Sequence, residues 1–148
     1  MTTAWEKFQE LLKIEMLKVY SEKVVDLSMN PRNLGTIENA DGFARLTGPC
    51  GDTMEIWLTA KGGSITNASF MTDGCGTSIA SGGMVAEMAK GKDIAEALKI
   101  GQQDVLGALG GLPEESEHCA LLAANTLKAA ITDYLDMKKT PWGKTYRK

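Results

Sequence analysis

The chain has 148 residues, with 16 Lys+Arg against 19 Asp+Glu for a net charge of −3, and 43% of it is hydrophobic. That length suits one domain with a real core, the hydrophobic content excludes wholesale disorder, and the acidic balance argues against a dedicated nucleic-acid binder, which needs a basic face. Three cysteines exclude a complete intrachain disulfide framework, and no apolar stretch approaches the ~20 residues of a membrane-spanning helix.

Residues 4–28 have helical periodicity, as one helix or two nearly continuous ones. Trp5, Phe8, Leu12, Met16 and Val19 recur at steps of three and four with charges between them. Glu6, Lys7, Glu10 and Lys13 interrupt any apolar core of the signal-peptide type, so a cytoplasmic location is expected. In that reducing compartment, cysteines kept for chemistry bind metal or react more often than they cross-link, although all three also suit small buried hydrophobes.

Asn30-Pro31-Arg32-Asn33-Leu34-Gly35 breaks the helical pattern. Gly42–Leu46 is a candidate strand. Met54, Ile56 and Leu58 alternate with Glu55, Trp57 and Thr59, as a strand with one buried face requires. Lys61-Gly62-Gly63 signals a tight turn, and Ser64–Thr72 reads as the returning strand, with a parity slip between Ile65 and Phe70 that suggests a bulge. Helical patterns follow at 77–90, closed by Gly91, at 93–99 with Asp93 as cap, and at 103–109, closed by Gly110-Gly111. A final helix runs to about Leu135, starting between Pro113 and His118. Lys138–Lys148 carries five positive charges and no negative ones, which reads as a solvated tail. Helix, strands, then helices argue an α+β fold: a small antiparallel sheet covered by helices. The 16 glycines exceed the roughly ten expected for this length and read mostly as turns and helix ends.

The chemistry concentrates on Cys50, Cys75 and Cys119. No Cys-x-x-Cys pair exists, so zinc-ribbon and thioredoxin-type motifs are excluded. A hairpin turn centred on Gly62-Gly63 would set Cys50 opposite Cys75, whereas a turn at Lys61-Gly62 would pair Cys50 with Asp73. Either register brings both thiols to the open end of the hairpin. Asp52, two residues from Cys50, shares its face in extended backbone. Gly74-Cys75-Gly76-Thr77-Ser78 joins strand to helix, with Thr77 or Ser78 as cap, which places Cys75 where free amides and the helix dipole favour thiolate. His118-Cys119 lies near another helix start and repeats that arrangement. Adjacent helical residues do not face one another, so His118 is expected to be poorly placed to deprotonate Cys119, which disfavours a Cys-His hydrolase. The favoured reading is three thiolates with Asp52 or His118 as a further metal ligand. Soft sulfur donors suit zinc or iron–sulfur chemistry, and spacing does not separate the two.

Tyr20-Ser21-Glu22-Lys23-Val24-Val25-Asp26, Asn30–Gly35, Cys50-Gly51-Asp52, Gly74-Cys75-Gly76 and His118-Cys119 closely resemble the IscU/NifU-N family of iron–sulfur cluster assembly scaffolds, in order and spacing, over residues 20–136. The resemblance implies a three-stranded sheet. It further implies a non-enzymatic carrier that receives persulfide sulfur from a cysteine desulfurase of the IscS/NifS type, assembles a [2Fe–2S] cluster with iron and passes it to acceptor apo-proteins. Carried over, Cys50, Cys75 and Cys119 are cluster ligands, Asp52 and His118 are the candidates for the remaining coordination, and Cys119 is the persulfide acceptor. Zinc is the alternative occupant of the same residues, in a sulfur acceptor that activates a desulfurase. Leu112-Pro113-Glu114-Glu115-Ser116 stands where many members carry Leu-Pro-Pro-Val-Lys, which argues against a dedicated Hsp70-type chaperone as partner. The expected organisation is a helical extension at 1–19, the scaffold domain at 20–136 and the tail at 137–148. The extension either packs on the domain, the preferred reading, or makes a homodimer contact.

Overall fold

The computed structural model describes residues 3–49 and 51–139. Helices α1 (Ala4–Leu17) and α2 (Glu22–Met29) precede strands β1 (Gly42–Thr47), β2 (Thr53–Lys61) and β3 (Ser64–Thr72). Helices α3 (Gly76–Ala89), α4 (Ile94–Ala97), α5 (Gln102–Leu109) and α6 (Glu117–Lys139) follow, with a 3-10 turn at Glu114–Ser116 before α6. The sheet is antiparallel in the order β1-β2-β3, so the expected α+β class and the three strands are both present.

The alternation in β2 sends Met54, Ile56 and Leu58 to the inner face, where all three are fully buried. Helices α3 and α6 cover that face, and α2 and α5 pack on the helices in turn. The core joins the inward residues of the sheet to Val85, Leu109, Leu127 and Ile131. On the outer face Phe43 and Trp57, directly paired across β1 and β2, bring their rings to 5.2 Å.

Gly62 and Gly63 both have positive φ, the backbone a two-residue hairpin turn with matching twist demands. Lys61 pairs with Ser64 and Ala60 with Ile65, but Thr59 pairs with Asn67, leaving Thr66 as the extra residue of a bulge. The bulge is the parity slip seen in the sequence: it returns Ala68 and Phe70 to the buried face that Ile65 also occupies. It also shifts the later pairing by one residue, so the ladder ends with Met54 opposite Thr72. The register that would set Cys50 opposite Cys75 therefore does not persist to the open end, and Cys50 itself lies outside the described residues.

The Asn30–Gly35 segment completes the sheet. Phe70 N donates to Asn33 O at 2.9 Å and Gly35 N donates to Phe70 O at 2.9 Å, covering part of the β3 edge. Gly91 N and Lys92 O pair with Ile65 farther along. Some glycines serve packing rather than turns. A Cβ on Gly82 would overlap the ring of Phe70, and one on Gly42 would overlap Ala130 O, so α3 and α6 approach the sheet closely only because those side chains are absent.

Helix α1 departs from expectation. None of its residues is buried, and Trp5, Phe8, Leu11 and Leu12 are exposed, with Trp5 and Phe8 stacked on each other at 5.7 Å. Its apolar stripe does not join the core; only Met16 is half-buried. Helix α6 extends to Lys139, a turn beyond its apolar stripe, through residues that favour helix until the sequence reaches Pro141. The tail from residue 140 lies outside the described residues. No helix among the described residues is long and apolar enough to cross a membrane.

Candidate functional site

The open end of the hairpin and the starts of α3 and α6 meet at one place. Asp73 closes the hairpin: its Oδ1 accepts from Thr53 N at 2.7 Å, and Thr72 Oγ1 donates to Thr53 O at 2.7 Å. Thr72 Oγ1 also accepts from Gly74 N, fixing the turn into α3. Gly74 is required here, because a Cβ would overlap the Ser78 side chain and stand 2.9 Å from Asp52 Oδ2. From below, the Ser28 hydroxyl on α2 lies 2.8 Å from Gly76 O and 2.7 Å from Val24 O, tying α2 to the first residue of α3.

Cys75 is itself the N-cap residue of α3, with extended backbone and no side-chain cap bond. Neither Thr77 nor Ser78 caps the helix, contrary to expectation. Both lie inside its first turn, where no carbonyl four residues back belongs to the helix, and their hydroxyls turn to the site instead. Thr77 Oγ1 is 3.1 Å from Cys75 Sγ and 3.4 Å from Cys119 Sγ. Ser78 Oγ lies 3.5 Å from Cys119 Sγ and donates to Asp52 Oδ2 at 3.3 Å. A hydroxyl carries one hydrogen, so with that hydrogen on Asp52 the Ser78 oxygen meets Cys119 as an acceptor.

The two thiols differ. Cys75 is exposed and its thiol is held below its ordinary pKa, chiefly by the Thr77 hydroxyl, with the Thr77 and Ser78 backbone amides adding to the effect. Burial and the Asp52 carboxylate oppose the shift without reversing it. The amides supply the part of this bias expected of a helix N-terminus, while the larger part comes from the hydroxyl. Cys119, in the first turn of α6, is only 2% exposed. His118 Nε2 stands 3.7 Å from Cys119 Sγ, which corrects the expectation that adjacent helical residues leave the imidazole out of reach. His118 is the second residue of α6 and Cys119 the third, so the pair meets in the first turn of the helix.

Four of the five candidate ligands thus fall into one network: Asp52, Cys75, His118 and Cys119. The fifth, Cys50, is not described. Among the described residues no three Cys, His, Asp or Glu side chains stand close enough together to hold a metal ion. Thr77 Oγ1 is in contact with both sulfurs, and Ser78 Oγ with both Cys119 and Asp52. The donor set fits a soft metal or an iron–sulfur cluster, with two thiols, an imidazole and a carboxylate at one end of the sheet. Beside Cys75 a cavity of about 120 Å³ is lined by Met16, Tyr20, Val24, Ser28, Gly76 and Thr77, so the end of α1 borders the site. Reading the sequence for caps missed the roles of Thr77 and Ser78. The available signal was two hydroxyl residues following a cysteine directly into a helix start.

A family model of the NifU-like N-terminal domain matches residues 19–141, beginning after α1. The chain is 50% identical over 117 residues to the iron-sulfur cluster assembly scaffold protein IscU 1 of Archaeoglobus fulgidus, covering 78% of this chain and 76% of that one. It is 43% identical over 120 residues to the iron-sulfur cluster assembly scaffold protein IscU of Escherichia coli K12, covering 78% and 93% respectively. The N-terminal part of a nitrogen-fixing NifU-like protein from Brucella abortus shares the fold, with a TM-score of 0.64 at 18% identity over 82% of this chain and 97% of that one.

Proposed function

The chain belongs to the NifU-like N-terminal domain family, and on that footing we propose that it is an iron–sulfur cluster assembly scaffold. It takes persulfide sulfur from a cysteine desulfurase in the cytoplasm, builds a [2Fe–2S] cluster with iron and hands it to apo-proteins, with no turnover reaction of its own. The observation that carries this reading is the pairing of an exposed, acidified Cys75 with Cys119 through one hydroxyl, with Asp52 and His118 in the same network.

Cys50, Cys75 and Cys119 are assigned as ligands of the cargo, with Asp52 or His118 completing the set and zinc as a substitute at the same residues. Four thiolates hold a cluster firmly, whereas an oxygen or imidazole donor in place of one makes release easier, as a carrier requires. Cys119 is assigned the persulfide. Its thiolate attacks the outer sulfur of the donor's persulfide; the new S–S bond forms as the donor's S–S bond breaks, and the donor's cysteine leaves as thiolate. His118 Nε2 is in reach of the Cys119 proton. Because Cys119 is buried, delivery requires the Thr77 and Ser78 contacts to open. Glu114 and Glu115 are exposed on the 3-10 turn, an acidic surface that does not suit a chaperone reading an apolar and basic motif.

Anaerobic reconstitution with iron, cysteine and a desulfurase, followed by metal and acid-labile sulfide analysis and visible absorption, tests the reading. Iron with sulfide in equal amounts supports the scaffold. Zinc without sulfide replaces it with a zinc-bound sulfur acceptor, and neither metal nor sulfide overturns it.

A further inference from the structure

The two hydroxyls at the site differ from those that bond back to their own helix. Thr126 and Thr132 donate to carbonyls four residues back in their own helix, at 2.7 and 2.9 Å. Ser81, one turn beyond Thr77 on α3, is fully buried with no partner for its hydroxyl among the described residues. Thr77 and Ser78, 4% and 0% exposed, direct their hydroxyls to sulfur and carboxylate. Together they touch all three elements that build the site: the turn before β2 through Asp52, the start of α3 through Cys75, and the start of α6 through Cys119.

We propose that Thr77 and Ser78 are positioning residues for cargo binding, a buried hydroxyl bracket that holds Cys119 Sγ in register with Cys75 and Asp52. The proposal rests on the reading of these thiols as cargo ligands. With both sulfurs ionised around cargo, the Thr77 hydroxyl has only acceptors beside it and its hydrogen serves a sulfur. Ser78 meanwhile keeps Asp52 attached to the same cluster of groups. Partners of this kind, one bond behind the ligands, typically change metal affinity 10–100-fold when removed.

The test titrates cobalt(II) anaerobically into the reduced full chain and follows the sulfur-to-cobalt charge-transfer absorption, with the thermal midpoint recorded for each variant. Thr77→Val keeps the shape and removes the hydroxyl; Thr77→Ser keeps the hydroxyl and removes the methyl. The expected result is cobalt affinity about tenfold weaker with a shifted charge-transfer band in Thr77→Val, and near-complete recovery of both in Thr77→Ser. Ser78→Ala should weaken binding in the parent and weaken it less in an Asp52→Ala background, since part of its effect runs through that carboxylate. Unchanged affinity and band in both Thr77→Val and Ser78→Ala overturns the proposal, as does a Thr77→Ser variant as impaired as Thr77→Val, which would reduce the role to packing. A parent protein that shows no sulfur-to-cobalt band removes the thiolate-site reading itself, a failure distinct from either of those.

Discussion

The difference in exposure between Cys75 and Cys119 sets a rate ratio that can be measured without metal, sulfur donor or partner. An alkylating reagent reaches Cys75 directly, whereas Cys119 must first become accessible by local opening at the start of α6. Opening breaks the 3.4 and 3.5 Å contacts with Thr77 and Ser78, each worth about 0.5–1 kcal/mol as a weak hydrogen bond. It also exposes a small sulfur side chain whose burial is worth about 1 kcal/mol. The total of about 2–3 kcal/mol corresponds to an open fraction between about 1 in 30 and 1 in 150. The acidified Cys75 thiol widens the gap near neutral pH, since thiolate is the reacting form. Limited iodoacetamide treatment of the reduced, metal-free chain, quenched at intervals and mapped cysteine by cysteine by mass spectrometry, gives both rates. Alkylation of Cys119 within threefold of Cys75 would refute the reasoning, and with it the need to open the bracket before sulfur is delivered.

The same assay across pH should show Cys75 reactivity rising at a midpoint below the ordinary thiol value, and Thr77→Val should move that midpoint upward. Because the folded pKa is the depressed one, the stabilisation is fully present above the ordinary thiol pKa and is lost as pH falls through the lowered value; an unmoved midpoint in Thr77→Val contradicts the assigned cause. Gly82→Ala should destabilise the fold by about 1–3 kcal/mol through collision with Phe70, although helix propensity alone favours alanine by about 1 kcal/mol; a urea midpoint at or above the parent's removes the packing argument. Asp52→Ala should retain reconstituted cluster longer and transfer it more slowly, and equal transfer rates to an apo-ferredoxin count against Asp52 as the labile ligand. Cys119→Ser should abolish persulfide transfer from a desulfurase, a role that undiminished labelling with radioactive sulfur would exclude.

Local order was the legible part of the fold. The alternation of Met54, Ile56 and Leu58, the Lys61-Gly62-Gly63 turn and the slip before Phe70 each reflect constraints within a few residues, and each has its counterpart in the sheet. The starts of α3 and α6 were legible for the same reason, and with them the placing of Cys75 and Cys119 at helix beginnings. Amphipathicity misled at α1, where the apolar stripe indicates a helix but not what it packs against. The register inferred from the turn failed at its far end because a single extra residue, Thr66, displaces every pair beyond it.

Composition and spacing, with the motifs that mark the family, determined the fold class, the hairpin and the candidate site side chains. Tertiary structure decided how those side chains differ. Cys75 and Cys119 each lie near a helix start, Cys75 as the N-cap of α3 and Cys119 in the first turn of α6, yet one is exposed and acidified and the other is buried. Burial depends on what lies above a residue, and Cys119 lies beneath a bracket of hydroxyls borne by a different helix. Thr77 and Ser78 read as caps in one dimension, where only the backbone nearby is available as a partner. Sulfur and carboxylate become their partners only once α3, α6 and the turn before β2 have been folded together.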